Sequence, residues 1–492
     1  MINRKKQSIY GFKYVFLFTA AVLLIHIFYL ASLPYDLYAD EAQYWSWSKS
    51  LDWGYFSKPP MIAWVIAGTT KFCGDGEFCV RLGAPILHFF TAILMYLIGT
   101  RLFTKRVGFW SSVVYSTLPG VTVSSYIIST DAPLLFFWAL SFYALIRGLK
   151  DWHIKWWILL GIAAGFGMLS KYTMVMFYAS AGLYFIISKE NRVYLFSFKF
   201  WLAILISVAV YWKNFAWNQA NNFASYNHTK DNADLYDISL NFNKMLEFVG
   251  AQFGVVGPIF FALLLFYIFF RFTNLIKRDH NKFLLCFILP FLLLITTISL
   301  LSRAHANWAV PVYIAGTIFV VSLVTARGTV LVKSLVWINI FAAVGFYHYH
   351  KIPDIIDKEM TVKLDPFYRL KGQKELGEAI SKELKNYPSA AILTTDRRTH
   401  STLLYYARDN SGNIPRAAKW NSEGDVDDHF ELTADIKNRK GEDFILVSKF
   451  DDVKDIQKRF ADSRKIGEVE IKLYPDYSLK YYTYYLQNFA GY

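Results

Sequence analysis

A chain of 492 residues that is 54% hydrophobic, 18% aromatic and only 18% charged is too apolar for an ordinary soluble protein of that length. Its formal net charge of +14 falls mainly in short loops between apolar runs, where it sets membrane topology, so the basic balance does not point to nucleic acid. There is no Walker loop, no dinucleotide fingerprint after a strand and no zinc spacing, which argues against an ATP-driven pump.

Apolar runs close to the ~20 residues a spanning helix needs lie near 14–32, 82–100, 107–125, 132–147, 156–170, 172–188, 200–217, 250–270, 283–301, 308–326 and 330–348. They predict a polytopic α-helical membrane protein of about 11 spans. The first run follows a basic start, as in a signal peptide. It is longer than a signal core and reads as an uncleaved anchor. The run 60–72 is short and close to Gly74 and Asp75, and reads as an interfacial or re-entrant helix.

Basic residues fall in alternate loops. They are Arg4, Lys5, Lys6 and Lys13; Arg101, Lys105 and Arg106; Arg147, Lys150 and Lys155; Lys189, Arg192 and Lys199; Arg271, Lys277, Arg278 and Lys282; Arg327 and Lys333. That side is expected to be cytoplasmic. The loops 33–81, 126–131, around 171, 218–249 and 302–307 then face outward, as does the C-terminal segment.

Residues 1–350 are therefore expected to form the membrane domain, with 33–81 as its first outer loop. Residues 351–492 have ordinary composition and read as a soluble extracytoplasmic α/β domain. Within it, 390–396 and 443–450 read as strands and 399–407 and 451–460 as helices. A strand hairpin turns around Pro475 and Asp476.

The outer loops carry the candidate chemistry. Asp40 and Glu41 stand just past the first span. At a membrane boundary such a pair either works, is paired, or is a solvated helix cap. Tyr55, Lys58, Pro59 and Pro60 follow. A Lys beside a rigid Pro-Pro turn can hold an anionic head group or simply snorkel. Asp131, ahead of Pro133, can cap a helix or bring a second carboxylate to the site. Lys171 interrupts two apolar spans. Arg303, His305, Asn307 and Trp308 fill one short loop, either as an interfacial belt or as a phosphate site, since Arg meets phosphate bidentately. Cys73 and Cys79 could be free thiols or a disulfide in an oxidising compartment. Cys286 lies in an apolar run.

The order and spacing of YADEAQYW, YFSKPPMIAW, GEFCVRLGA, STDAPLLFFW, GMLSKYT and AHANWAVPVY resemble the bacterial protein O-mannosyltransferase-like glycosyltransferases. These have the glycosyltransferase C architecture, and include lipid A aminoarabinose and lipopolysaccharide core transferases. The resemblance implies transfer of a sugar from a polyprenyl-phosphate donor to an envelope acceptor, lipid A or another lipopolysaccharide component, at the periplasmic face of a bacterial inner membrane. It makes Asp40 the catalytic carboxylate with Glu41 beside it. Tyr55 and Lys58 meet the carrier phosphate, and Asp131 faces the site. Lys171 and the 303–308 loop follow, with Arg303, His305 and Asn307 as substrate-binding residues. Cys73, Cys79 and the polar loop 218–249 have no counterpart in it.

The implied reaction is one displacement at the anomeric carbon, with inversion. Cations stabilise the leaving phosphate and Asp40 takes the acceptor proton. No cofactor is required, although a divalent metal could sit at Asp40 and Glu41. The rival readings are a transporter or flippase of a lipid-linked substrate, a glycan polymerase or ligase, and a scaffold protein.

Overall fold

The structure is a computed structural model that describes residues 9–234, 239–351, 353, 355, 357 and 359–492. Arg4, Lys5 and Lys6, which enter the topology reading, lie outside the described residues, as does part of the 218–249 loop. The chain divides into two compact units. One comprises Met1–Ser32, Lys58–Val65 and Arg81–Tyr349; the other comprises Leu33–Ser57, Ile66–Val80 and His350–Tyr492.

The first unit is helical. Seven of the described helices are long and apolar enough to cross a membrane: Phe12–Ala31, Glu77–Leu102, Asp131–Asp151, Phe198–Ala220, Pro258–Leu275, Asp279–Leu301 and Val330–Tyr347. Shorter apolar helices cover Met61–Cys73, Ile154–Ser170, Tyr172–Ile187 and Val312–Thr325.

Two expected spans are interrupted. The run 107–125 splits into Lys105–Thr117 and Pro119–Ser124, with Leu118 extended between them. Pro119 has no N–H to continue the ladder and drives the residue before it out of the helical region. The run 250–270 is cut between Phe242–Val256 and Pro258–Leu275. Gly257 turns the chain at φ +87, and a Cβ there would lie 2.4 Å from Asn339 Oδ1. Only glycine suits that backbone and that space.

Aromatic rings fill the helical core. Trp138 meets Phe177 edge-on at 5.3 Å, and Phe142 meets Phe287 at 4.7 Å. Such pairs add directional contact to their burial.

The second unit is built on a five-stranded sheet of order β2-β1-β3-β5-β4. Its strands are β1 (Ala391–Thr394), β2 (Ala417–Lys419), β3 (Phe444–Ser448), β4 (Phe460–Tyr474) and β5 (Tyr477–Phe489). β1 runs parallel to β2 and β3, while β5 is antiparallel to β3 and β4. β4 and β5 form the hairpin around Pro475 and Asp476. The segment expected to be helical over 451–460 is so only at Lys454–Gln457. Phe460 instead opens β4 and packs on Phe444 and Phe489. β2, at three residues, is too short to show a pattern.

The sequence grouped 33–81 with the membrane part. Most of that loop instead packs into the second unit. Asp36 N donates to Leu370 O at 2.8 Å, Ser401 Oγ to Ala39 O at 3.0 Å and Tyr405 Oη to Asp75 O at 2.7 Å. Cys73 and Cys79, six residues apart, form a disulfide, which settles the alternative left open by the sequence. Cys286 is free and buried.

Candidate functional site

The sequence candidates fall into two clusters, one in each unit. In the helical unit, Asp131 is the first residue of the Asp131–Asp151 helix, with Thr130 at the cap position. Its Oδ1 accepts from Lys171 Nζ at 2.7 Å and its Oδ2 from Asn307 Nδ2 at 2.6 Å. The Asp131 side chain is 7% exposed and that of Lys171 is 16% exposed. Lys171 occupies the extended break after the Ile154–Ser170 helix. A chain break inside a bundle leaves backbone groups and a charge that need partners, and the carboxylate is one.

Asn307 stands in a single turn, Ala306–Ala309. Gln252 holds that turn: its Nε2 donates to Ala306 O at 3.2 Å while its Oε1 accepts from Tyr313 Oη at 2.6 Å. His305 lies edge-on to Trp308 at 5.4 Å. Burial lowers the imidazole's pKa, and the nearby charges of Arg303, Lys58 and Lys171 lower it further. The charges of Arg303, Lys58 and Lys171 are thus all felt at this imidazole, and Lys171 is itself paired with Asp131. Arginine and lysine are the side chains that meet phosphate.

Asp131 and Asn307 also line a cavity of about 360 Å³. Its walls are largely aliphatic, among them Leu118, Val121, Ile127, Leu135, Val255 and Val310. A polar end on an apolar slot is the usual form of a small-ligand site.

In the other unit, Asp40 and Glu41 open the Ala39–Lys49 helix, but they do different things. Asp40 Oδ1 accepts from Arg397 Nη1 at 2.8 Å. Arg397 also hydrogen-bonds Gln43 Oε1. Glu41 is 0% exposed, and its carboxylate accepts from Tyr38 N at 2.9 Å. It closes the helix start, as the third residue of a capping box does. The two acids therefore do not act as one pair. Among the described residues, no three His, Cys, Asp or Glu side chains converge as a metal-holding group.

Tyr55 also departs from expectation. It is 2% exposed and stacks on Trp47 at 4.4 Å. Its hydroxyl donates to Trp47 O or Ser50 O, each at 3.1 Å, and accepts from Asp52 N at 3.1 Å. Burial pushes the phenol pKa up. The residue expected at the carrier phosphate instead ties its own loop together.

Arg397 is the site residue that the sequence reading missed. It is the first residue of the Arg397–Tyr406 helix, where a cation opposes the helix dipole. That misplaced charge was a signal, but its partner is 357 residues away.

Residues 57–217 match the family model described as dolichyl-phosphate-mannose-protein mannosyltransferase. Over 408 residues the chain is 31% identical to the lipid A galacturonosyltransferase RgtD of Rhizobium johnstonii, covering 82% of this chain and 85% of that protein. The chain belongs to this family of membrane glycosyltransferases. The glycosyltransferase is also 29% identical over 191 residues to an undecaprenyl phosphate-alpha-4-amino-4-deoxy-L-arabinose arabinosyl transferase of Wigglesworthia glossinidia brevipalpis, covering 35% of this chain and 33% of that one. Its fold is that of ArnT from Cupriavidus metallidurans. The TM-score is 0.63 over 95% of this chain and 97% of that one, at 13% identity for the apo structure and 14% for the one bound to undecaprenyl phosphate. The glycosyltransferase is thus a multi-pass inner-membrane enzyme of the glycosyltransferase C architecture.

Proposed function

We propose that this glycosyltransferase moves a single sugar from a polyprenyl-phosphate carrier to lipid A or another lipopolysaccharide component, at the periplasmic face of the membrane. The observation that carries this reading is the buried Lys171, hydrogen-bonded to Asp131 next to Asn307, where Asp131 and Asn307 line a cavity with aliphatic walls. A phosphate that carries an isoprenoid tail asks for both the cation and the apolar walls. The relatives named for lipid A and undecaprenyl phosphate support the same donor and acceptor.

In this reading the acceptor oxygen attacks the anomeric carbon as the bond to the carrier phosphate breaks. The electron pair leaves on polyprenyl phosphate, and one displacement inverts the anomeric centre. Lys58 and Arg303, with Lys171, stabilise the charge growing on the leaving phosphate. If the acceptor is a hydroxyl, its proton goes to Asp40. If it is an ionised lipid phosphate, Asp40 orients groups instead. Arg397 is the counter-ion of Asp40. Glu41 and Tyr55 support the first outer loop rather than touch substrate. The fuller topology in this reading has about eleven spans, a cytoplasmic N-terminus, a catalytic membrane domain and a periplasmic α/β domain that takes part in choosing the acceptor.

The test is mass spectrometry of envelope lipids from cells lacking the gene, complemented by wild type or by Asp40→Asn. Loss of one sugar-sized increment, restored by wild type alone, supports the reading. A whole glycan chain lost instead would favour a ligase. Unchanged lipids would sink the lipid acceptor.

A further inference from the structure

We infer that Arg397 is the positioning residue for Asp40, fixing which carboxylate oxygen is left to act. This rests on the catalytic role proposed for Asp40. Arg397 Nη1 occupies Oδ1 at 2.8 Å, which leaves Oδ2 as the oxygen to receive a proton. The same guanidinium takes the Gln43 amide oxygen, one turn along the Ala39–Lys49 helix. It therefore grips that helix at two points and sets the rotation of the Asp40 side chain.

The supports of Arg397 make it rigid. Asp396 caps its helix, accepting from Thr399 N at 3.1 Å and from Thr399 Oγ1 at 2.7 Å. Lys449 Nζ lies 3.2 Å from the same Asp396. One turn further, Ser401 Oγ donates to Ala39 O at 3.0 Å, directly before Asp40. Trp45 meets Tyr405 edge-on at 4.8 Å, and the Arg408 guanidinium lies 4.8 Å from the Trp45 ring. The two helices are thus joined at the ion pair, at a backbone contact and at an aromatic contact.

Stability alone does not account for the arginine. The Arg397 and Asp40 side chains are 34% and 39% exposed, and ion pairs so exposed add little to a fold. An arginine at the first position of a helix also works against the dipole. Held in place by a capped helix, it suits a task of orientation, because small displacements of a reacting group are costly in rate.

The test uses the purified full-length protein with an undecaprenyl-phosphate-linked sugar and lipid A. Expected for Arg397→Gln is a fall in kcat of roughly 10- to 100-fold, with the donor KM within about twofold and the melting temperature unchanged. Arg397→Lys should keep part of the rate. Added guanidinium should restore part of it to Arg397→Ala. On an Asp40→Asn background, Arg397→Gln should add no further loss. The role is overturned if Arg397→Gln turns over like wild type, if its loss is the same on the Asp40→Asn background, or if guanidinium restores nothing while the protein remains folded. A wild type that transfers nothing sinks the donor and acceptor reading itself; a working wild type beside an unchanged Arg397→Gln sinks only the role of Arg397.

Discussion

Lys171 Nζ stands 2.7 Å from Asp131 Oδ1, and both side chains are largely buried. Removing one member of such a pair strands a charge, at a cost of about 3–5 kcal/mol. Lys171→Met should therefore lower the unfolding midpoint clearly. The double variant Asp131→Asn with Lys171→Met should recover most of that stability, but not sugar transfer. Thermal unfolding in detergent reads the first effect and a transfer assay the second. If the single variant melts like wild type, the pair is solvated and this account of it is wrong.

In the proposed function Arg303 and Lys58 meet the carrier phosphate. A charged hydrogen bond contributes roughly 1.5–3 kcal/mol, and each 1.4 kcal/mol is tenfold in affinity. Arg303→Gln and Lys58→Gln should each raise the KM for the polyprenyl-phosphate donor about tenfold or more, with little change in melting. Initial rates against donor concentration test this. An unchanged KM in both would move the phosphate elsewhere.

The Cys73–Cys79 disulfide bears on which side of the membrane its loop faces. Reducing compartments keep such thiols free, and oxidising ones keep them paired. In protein taken from cells under alkylation, neither cysteine should carry the label until a reductant is added. Peptide mass spectrometry reads this directly. Labelling without reductant would place the loop on the reducing side and reverse the proposed topology.

Asp36 gives a pH dependence of known sign. Its carboxylate accepts from Gln373 N at 2.8 Å and Lys374 N at 3.3 Å. Burial raises its pKa from 3.8 to about 6, and Glu375 and Glu77 add to the rise. The folded state then holds the proton more tightly than the unfolded chain. The contribution is greatest below pH 3.8 and is lost as pH rises toward about 6, by roughly 2–3 kcal/mol. Asp36→Asn keeps an acceptor without the charge. Its melting temperature should fall less than that of wild type between pH 4 and 6.5. Parallel pH profiles for the two proteins would discard the assignment.

Much of the helical unit was legible because a membrane helix is written as a local run of apolar residues. The interruptions at Pro119 and at Gly257–Pro258 were equally visible, but long apolar windows average over them. Asp131, Lys171 and Asn307 stood out for a related reason: polar groups among apolar spans are costly unless they are partnered. That the three share one hydrogen-bonded cluster was not legible, since 176 residues separate Asp131 from Asn307.

By itself the sequence determined the family, the apolar helices and the kinds of side chain available for chemistry. These depend on local composition and on the order of short motifs. Only the tertiary structure decided what each side chain does. Glu41 and Tyr55 have the right chemistry for a site, but burial and backbone partners turn both inward. Arg397 had no visible role until the second unit brought it to Asp40. Burial and long-range pairing are properties of the folded chain, and residue type specifies only the capacity for them.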